Sequence, residues 1–251
     1  MNVIRSLFAF FLCLCALQLL AGNAPKKYVA GQASTKKLKT AIDTSAFNMQ
    51  IPDGNMNVFY PYLQAALPQK GDTVSARLYN VRSKKIEQLF ESDTNVVVMT
   101  AGGISCDRAA LMADSLIHLL YTFPYLHFAI VVSAETHPSG YSCPYSYSFG
   151  HRSVYHPPNE MAFTLKHRCE NAQAFADTLQ VDSRVKIFID DAQNTFVNTM
   201  NTSPCALLVT DKKGIVSFSH ALFNMGGSPQ KIPGYGRPIA EYQLKELLKI
   251  K

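Results

Sequence analysis

The chain has 251 residues, 47% hydrophobic and 17% charged, an ordinary globular composition with enough length to bury a core. Its formal charge of +6 comes from scattered basic residues. The densest group, Lys26, Lys27, Lys36, Lys37 and Lys39, reads as the flank of an apolar leader. With no RNA-binding signature and no Gly-rich phosphate loop, no nucleic-acid partner is expected.

The leader, "MNVIRSLFAFFLCLCALQLLAGNAPKK", has one Arg, a long apolar run and then small residues. Residues 1–24 are therefore expected to be either a signal peptide, cleaved near Gly22-Asn23-Ala24, or an N-terminal membrane anchor. Either way the expected localisation is the secretory pathway, the protein being secreted or held in the membrane by this helix. Residues 25–70, polar and carrying Pro52, Pro61 and Pro68, read as an irregular linker or extension. From 71 to 251 the patterns sharpen into one domain.

"SARLYNV" alternates as a strand does, and "KKIEQLF" is a short amphipathic segment or a second hairpin strand. "NVVVM" is a continuous apolar run, as in a central strand covered on both faces. "DRAALMADSLIHLLYTF" then repeats Ala110, Leu111, Leu116, Leu119 and Leu120 at helical spacing, with Pro124 marking its end. "HFAIVVSAE" is a second central strand, followed by a long Tyr-, Ser- and Pro-rich loop from about His137 to Pro158. "NEMAFTLKHRCENAQAFADTL" is helical with Asn159 as N-cap, and "VKIFID" is a third strand. "CALLVTDKKGIVSFSH" is a hairpin about a Lys-Lys-Gly turn, and "IAEYQLKELLKI" is a closing amphipathic helix. This order predicts an α/β fold: a thioredoxin-like sandwich with a central mixed sheet, flanking helices and a long insertion loop.

Two of the six cysteines, Cys13 and Cys15, lie in the leader. The other four, Cys106, Cys143, Cys169 and Cys205, allow two structural disulfides in three pairings. None of their spacings is a zinc pattern, so no metal is expected.

Cys106 falls at the turn from the first central strand into its helix. There, unpaired amides and the helix dipole favour a thiolate, the reactive form. The alternative is an inert cysteine filling core space. The positions three residues away are Gly103 and Ala109, so no local second thiol exists. Pro204 precedes the hairpin strand where a thioredoxin-like fold carries a proline, usually cis, facing the nucleophile. That makes Cys205 a candidate resolving thiol. Glu135 and His137 follow the second strand, where imidazole can transfer a proton and a carboxylate can orient it. Arg108 and Arg168 are either surface groups or ligands for a substrate carboxylate.

"ETHPSGY" is similar to the Glu-Ala-His-Pro-Ser-Asp-Gly-Trp segment of the iodothyronine deiodinases. "VVVMTAGGISC" resembles the strand and turn leading to their selenocysteine, with Cys106 at that position. "HRCENAQAFADTL", "NTFVNTMNTS" and "FNMGGSPQKIPGYGRPIAEYQLKELL" resemble further segments of that family in the same order, over about residues 74–250. The resemblance implies a thioredoxin-like enzyme of thyroid hormone metabolism that removes iodine reductively. Cys106 would be the nucleophile, with His137 and Glu135 in the substrate-binding and proton-transfer set.

It also implies a small-molecule substrate such as an iodinated phenol, an external thiol reductant, no bound cofactor, an N-terminal membrane anchor and a homodimer. A further substrate-binding histidine is left open among His151, His156 and His167. The sequence departs from the family in having cysteine for selenocysteine, and Gly140 and Tyr141 where Asp and Trp are expected. It also departs at "TSPCALLV", which keeps a thioredoxin-like proline. A thiol peroxidase or thiol–disulfide oxidoreductase, and a non-catalytic secreted binding domain stapled by disulfides, are the alternatives.

Overall fold

The computed structural model describes residues 25–30, 67–90, 92–102, 107–133, 164–202, 206–221 and 236–249. In chain order the strands are β1 (Lys27–Ala30), β2 (Thr73–Asn80), β3 (Lys85–Gln88), β4 (Val96–Ala101), β5 (His127–Val132), β6 (Lys186–Ile189), β7 (Ala206–Thr210) and β8 (Val216–Ala221). The helices are α1 (Asp107–Thr122), α2 (Leu165–Thr178), α3 (Thr195–Met200) and α4 (Gly236–Leu248).

All six residues of β4 are buried, as its unbroken apolar sequence requires of a strand covered on both faces. It pairs in parallel with β5, and β5 in parallel with β6. On its other side β4 pairs antiparallel with β7, which turns back as β8. The sheet order is β1-β2-β6-β5-β4-β7-β8, with β3 added to β2. Two strand–helix–strand units, β4-α1-β5 and β5-α2-β6, thus stand beside an antiparallel hairpin closed by α4. This is a thioredoxin-like arrangement: a mixed sheet with flanking helices.

Side-chain alternation along the strands divides the interior in two. Val97, Met99, Leu207 and Val209 face Leu116, Leu119 and Leu120 of α1, Phe175 and Ala176 of α2, and Leu244 of α4. Val96, Val98 and Leu208 face Phe196, Val197 and Met200 of α3 together with Val74, Ala76 and Leu78 of β2. The alternation of "SARLYNV" is observed as such: Val74, Ala76, Leu78 and Asn80 are buried and their neighbours are not.

The start of β2 is fastened to the turn of the β7–β8 hairpin. Val74 N donates to Gly214 O at 2.8 Å, Val216 N to Asp72 O at 2.8 Å, and Gly71 N to Val216 O at 2.9 Å. Gly214 sits at φ +79°, and a Cβ there would lie 2.3 Å from Val74 O, so the Lys-Lys-Gly turn demands glycine on both counts.

Several expectations are corrected. Lys27–Ala30, within the stretch read as irregular, pairs in parallel with β2, and the Asp72 carboxylate secures it by accepting from Lys26 N at 2.7 Å. "KKIEQLF" supplies β3, which forms the hairpin with β2. α2 begins at Leu165 with Thr164 as its cap, its hydroxyl accepting from His167 N at 3.1 Å. Asn159 lies outside the described residues.

The membrane assignment is also withdrawn. Among the described residues no helix is long and apolar enough to cross a membrane. The longest, α1, has 16 residues, whereas a span takes about 20. Residues 1–24, on which the anchor was placed, lie outside the described residues, and the localisation built on them is withdrawn with the anchor. The long loop from 137 to 158 is also outside them.

Candidate functional site at the carboxyl edge of the sheet

Because β4, β5 and β6 are parallel, their carboxyl ends share one edge of the sheet, where an open α/β fold gathers its loops. Ala101 is in register with Val132, and Val132 with Ile189. β7 runs the other way, so its first residue, Ala206, comes to the same edge opposite Thr100. The ladder continues one step beyond the strands: Ser133 N donates to Ala101 O and Asp190 N to Val132 O, both at 3.0 Å.

The five residues expected to carry the chemistry, Cys106, Glu135, His137, Pro204 and Cys205, lie outside the described residues. The described residues around them are nevertheless informative. The chain leaves β4 through Gly102 and resumes at Asp107 in α1, leaves β5 through Ser133, and passes from Thr202 to Ala206 in entering β7. Every one of these points is at the carboxyl edge.

Polar side chains at this edge are buried, and two groups of them hold it. Thr100, fully buried on β4, donates from its hydroxyl to Thr202 O at 2.7 Å and accepts from Ala206 N at 2.8 Å. The second group surrounds Asp190, which has no solvent exposure. One carboxylate oxygen accepts from Asp191 N and Phe196 N, both at 2.9 Å, and the other from Val197 N at 3.0 Å. Asp190 thereby ties the end of β6 to the first turn of α3. Burial pushes its carboxyl up to about 7, and the charge of Asp191 pushes the same way. The amides of Val197 and Phe196 and the Arg168 guanidinium pull it back.

Arg168 is not a surface group. It is 1% exposed on α2, and its guanidinium donates to Asp190 O at 3.1 Å and to Asp191 O at 2.5 Å. These are main-chain carbonyls of the β6–α3 turn, so Arg168 fastens α2 to that turn. Its five-donor planar group suits this task, since it can reach two adjacent carbonyls at once.

Cys169, next along α2, carries a free thiol. Burial pushes it up to about 12, with Arg168 pulling down and Glu170 pushing up. Almost no thiolate forms there near neutral pH, so Cys169 is unsuited to nucleophilic work. A free Cys169 also removes the scheme in which all four downstream cysteines are bridged. His167 is half-buried on α2, while His151 and His156 lie outside the described residues. Among the described residues no group of three or more His, Cys, Asp or Glu is arranged to hold a metal ion.

Neither a family model nor a curated protein matches the chain.

Solved structures do resemble it. A thioredoxin-like protein from Aeropyrum pernix is 16% identical over 69% of this chain and 89% of that one, with a TM-score of 0.43. A peroxidoxin, BcpB, from Mycobacterium tuberculosis is 14% identical over 73% of this chain and 98% of that one, with a TM-score of 0.46. A thiol peroxidase from Chromobacterium violaceum is 13% identical over 74% and 91%, with a TM-score of 0.41. At such values no activity passes from these proteins to this chain, and the fold assignment rests on strand order and register.

Thr100, Thr202, Asp190 and Asp191 were not among the residues singled out in the sequence. The two adjacent aspartates closing the apolar run "KIFIDD" are the one available hint, since charge at a strand end seldom goes uncompensated.

Proposed function

We propose that the protein is a thiol-dependent oxidoreductase in which Cys106 is the nucleophile and a peroxide or disulfide is the electrophile. The observation that carries this reading is the convergence of chain ends at the carboxyl edge. The residues flanking Cys106, those preceding Glu135 and His137, and those flanking Pro204 and Cys205 all meet there. Support also comes from what Cys169 cannot do, because the buried thiol of α2 is no competitor for the role.

With a peroxide, the Cys106 thiolate attacks the terminal oxygen and the O–O bond breaks. The sulfur becomes a sulfenic acid and the departing alkoxide takes a proton, for which His137, oriented by Glu135, is the candidate donor. A second thiol, from Cys205 or an external reductant, then displaces water to form a disulfide. A further thiol reduces that disulfide and restores Cys106. With a disulfide substrate the first step is instead attack on sulfur, expelling a thiolate.

A second reading is favoured by the "ETHPSGY" segment: reductive deiodination. There the thiolate takes iodine from an iodinated phenol while a proton goes to the aryl carbon. The resulting sulfenyl iodide is cleared by a second thiol, which releases iodide.

One set of assays separates these. The full chain, Cys106→Ala and Cys205→Ser are given dithiothreitol with tert-butyl hydroperoxide, with oxidised glutathione, or with an iodinated phenol. Hydroperoxide or disulfide turnover that disappears in Cys106→Ala is the expected result. Iodide release that depends on Cys106 would move the assignment to the second reading, and turnover that persists in Cys106→Ala would sink both.

A further inference from the structure

Lysines gather where three chain segments meet at the start of β2. Lys26 and Lys27 lie at the start of β1, Lys70 precedes β2, and Lys212 and Lys213 form the β7–β8 turn; all five are exposed. The segments are neighbours by pairing. Lys27 is in register with Thr73, Thr73 bridges to Ile215, and Thr73 N donates to Lys26 O at 2.8 Å. The turn follows Thr210, which lies opposite Val96 at the start of β4, so this corner is at the other end of the sheet from the proposed thiol site.

The two carboxylates of the corner are taken up by main-chain amides. Asp72, 5% exposed, accepts from Lys26 N and Gln69 N, both at 2.7 Å. Asp211 accepts from Lys213 N at 2.8 Å and from Ile215 N at 2.9 Å. They fix the backbone that carries the lysines and leave the ammonium groups without an acidic partner. Elsewhere lysines do find one: Lys186 is 2.8 Å from Glu87, Lys245 is 2.9 Å from Glu241 and Lys166 is 3.6 Å from Glu170. Among the described residues none of the five corner lysines has such a pair. Between the turn lysines and β2 stands Ile215, an apolar side chain left 38% exposed.

We propose that this corner is a docking surface for an acidic peptide segment of another protein, one that carries an apolar side chain among its carboxylates. The chain does not supply that segment itself. Its long stretches beyond the described residues, 31–66, 134–163 and 222–235, hold only isolated acids: Asp43, Asp53, Glu135 and Glu160. A second copy, itself at +6, would be repelled. Three adjacent segments at strand spacing span about 10 Å, the length of about three residues of extended peptide. The cations are all lysines, mobile point charges that suit carboxylates at no fixed angle. A phosphate-rich surface would use the lysines alone, whereas Ile215 gives a peptide an apolar contact as well. Such exposed charges act chiefly on association rate and specificity, so the binding is expected to be modest and sensitive to salt.

The test measures binding of fluorescein-labelled Glu-Asp-Leu-Glu-Asp to the full chain by anisotropy. Gln-Asn-Leu-Gln-Asn, Glu-Asp-Ser-Glu-Asp, phosphatidylserine vesicles and a single-stranded oligonucleotide serve as competitors. The variants are Lys212→Glu with Lys213→Glu, Ile215→Ser, and Lys166→Glu with Lys249→Glu, which changes the net charge equally elsewhere. The turn variant is expected to bind the leucine peptide about tenfold more weakly, and the control within about twofold of the natural chain. Ile215→Ser is expected to lose about threefold for the leucine peptide and nothing for the serine one.

No binding to the natural chain, equal losses in the turn variant and the control, or equal binding of the uncharged peptide would overturn the proposal. An Ile215→Ser chain that binds the leucine peptide as the natural one does would also overturn it. Vesicles or oligonucleotide that displace the peptide through the same lysines and bind more tightly would give the surface to those partners instead. Hydroperoxide turnover is expected to be unchanged in all three variants, so failure of the docking surface leaves the thiol reading standing.

Discussion

The two ends of the β4–β5–β6 sheet handle their polar groups in opposite ways. At the amino end charged pairs meet in solvent, although part-buried Arg82 also donates to the carbonyls of Val181, Asp182 and Val185. His127 faces Asp93 at 3.0 Å, Lys186 faces Glu87 at 2.8 Å, and Arg184 faces Asp182 at 2.9 Å. At the carboxyl end Thr100, Ser133, Asp190, Arg168 and Thr202 are all buried, and those bonds run mostly to main-chain atoms. Exposed pairs of the first kind add little stability, because water and salt compete with them. Buried groups of the second kind are costly to leave unmade, and they hold each segment in one arrangement. The carboxyl end is therefore built to fix where chain segments go, as a reaction site needs.

Breaking that contrast at its strongest point gives the largest effect. Arg168→Ala would remove both guanidinium bonds to the β6–α3 turn and leave the neighbouring Asp190 without its nearby positive charge. It is expected to lower stability by about 3–5 kcal/mol, read by urea unfolding. A loss below about 1 kcal/mol would show that the buried end is no more demanding than the exposed one.

A smaller effect should come from proton binding at Asp190. Its folded pKa, about 7, lies above the ordinary value of 3.8, so between them the folded state holds a proton that the unfolded state has released. The stability tied to that proton is fully present below about pH 4 and is lost as pH rises through about 7. Asp190→Asn should be less stable than the natural chain at low pH and should show a flatter fall in stability from pH 5 to pH 8. An unchanged slope would assign the pH dependence to other groups.

The smallest effect belongs to the other end of the sheet. Lys186→Ala breaks an exposed pair with Glu87 and should shift the unfolding free energy by no more than about 0.5 kcal/mol. Salt should abolish even that.

Much of the fold was legible because it is written in side-chain pattern. The buried runs at Val96–Ala101, Phe128–Val132 and Ile187–Ile189, the alternation of β2 and the Lys-Lys-Gly turn all appear as expected. Elements held by distant partners were not legible. β1 is four residues long and exists by pairing with β2 and by the bond from Lys26 N to Asp72. α3 is six residues with β-branched Thr195, Val197 and Thr199, and its first turn is held by Asp190 from the end of the preceding strand.

The proposed site residues lie outside the described residues, and the buried groups beside them were not legible. Cys106, Glu135, His137 and Pro204 stand out by residue type and order. Thr100 does not, because a threonine in a strand is unremarked until its hydroxyl is seen to join two main-chain groups more than 100 residues away. Arg168 misled for the same reason: its partners are carbonyls, which every residue has.

The fastening of β2 to the β7–β8 turn has a consequence for the chain as it emerges from the ribosome. One interior layer draws on residues from Ala30 to Val216, the other on residues from Val97 to Leu244. The central strand β4 has one neighbour about 30 residues later but waits more than 100 residues for the other. Neither layer can close while synthesis is in its first half. The apolar β4 must therefore remain without its second neighbour until nearly the whole chain exists, and a translation stall before residue 206 would leave it uncovered on that side.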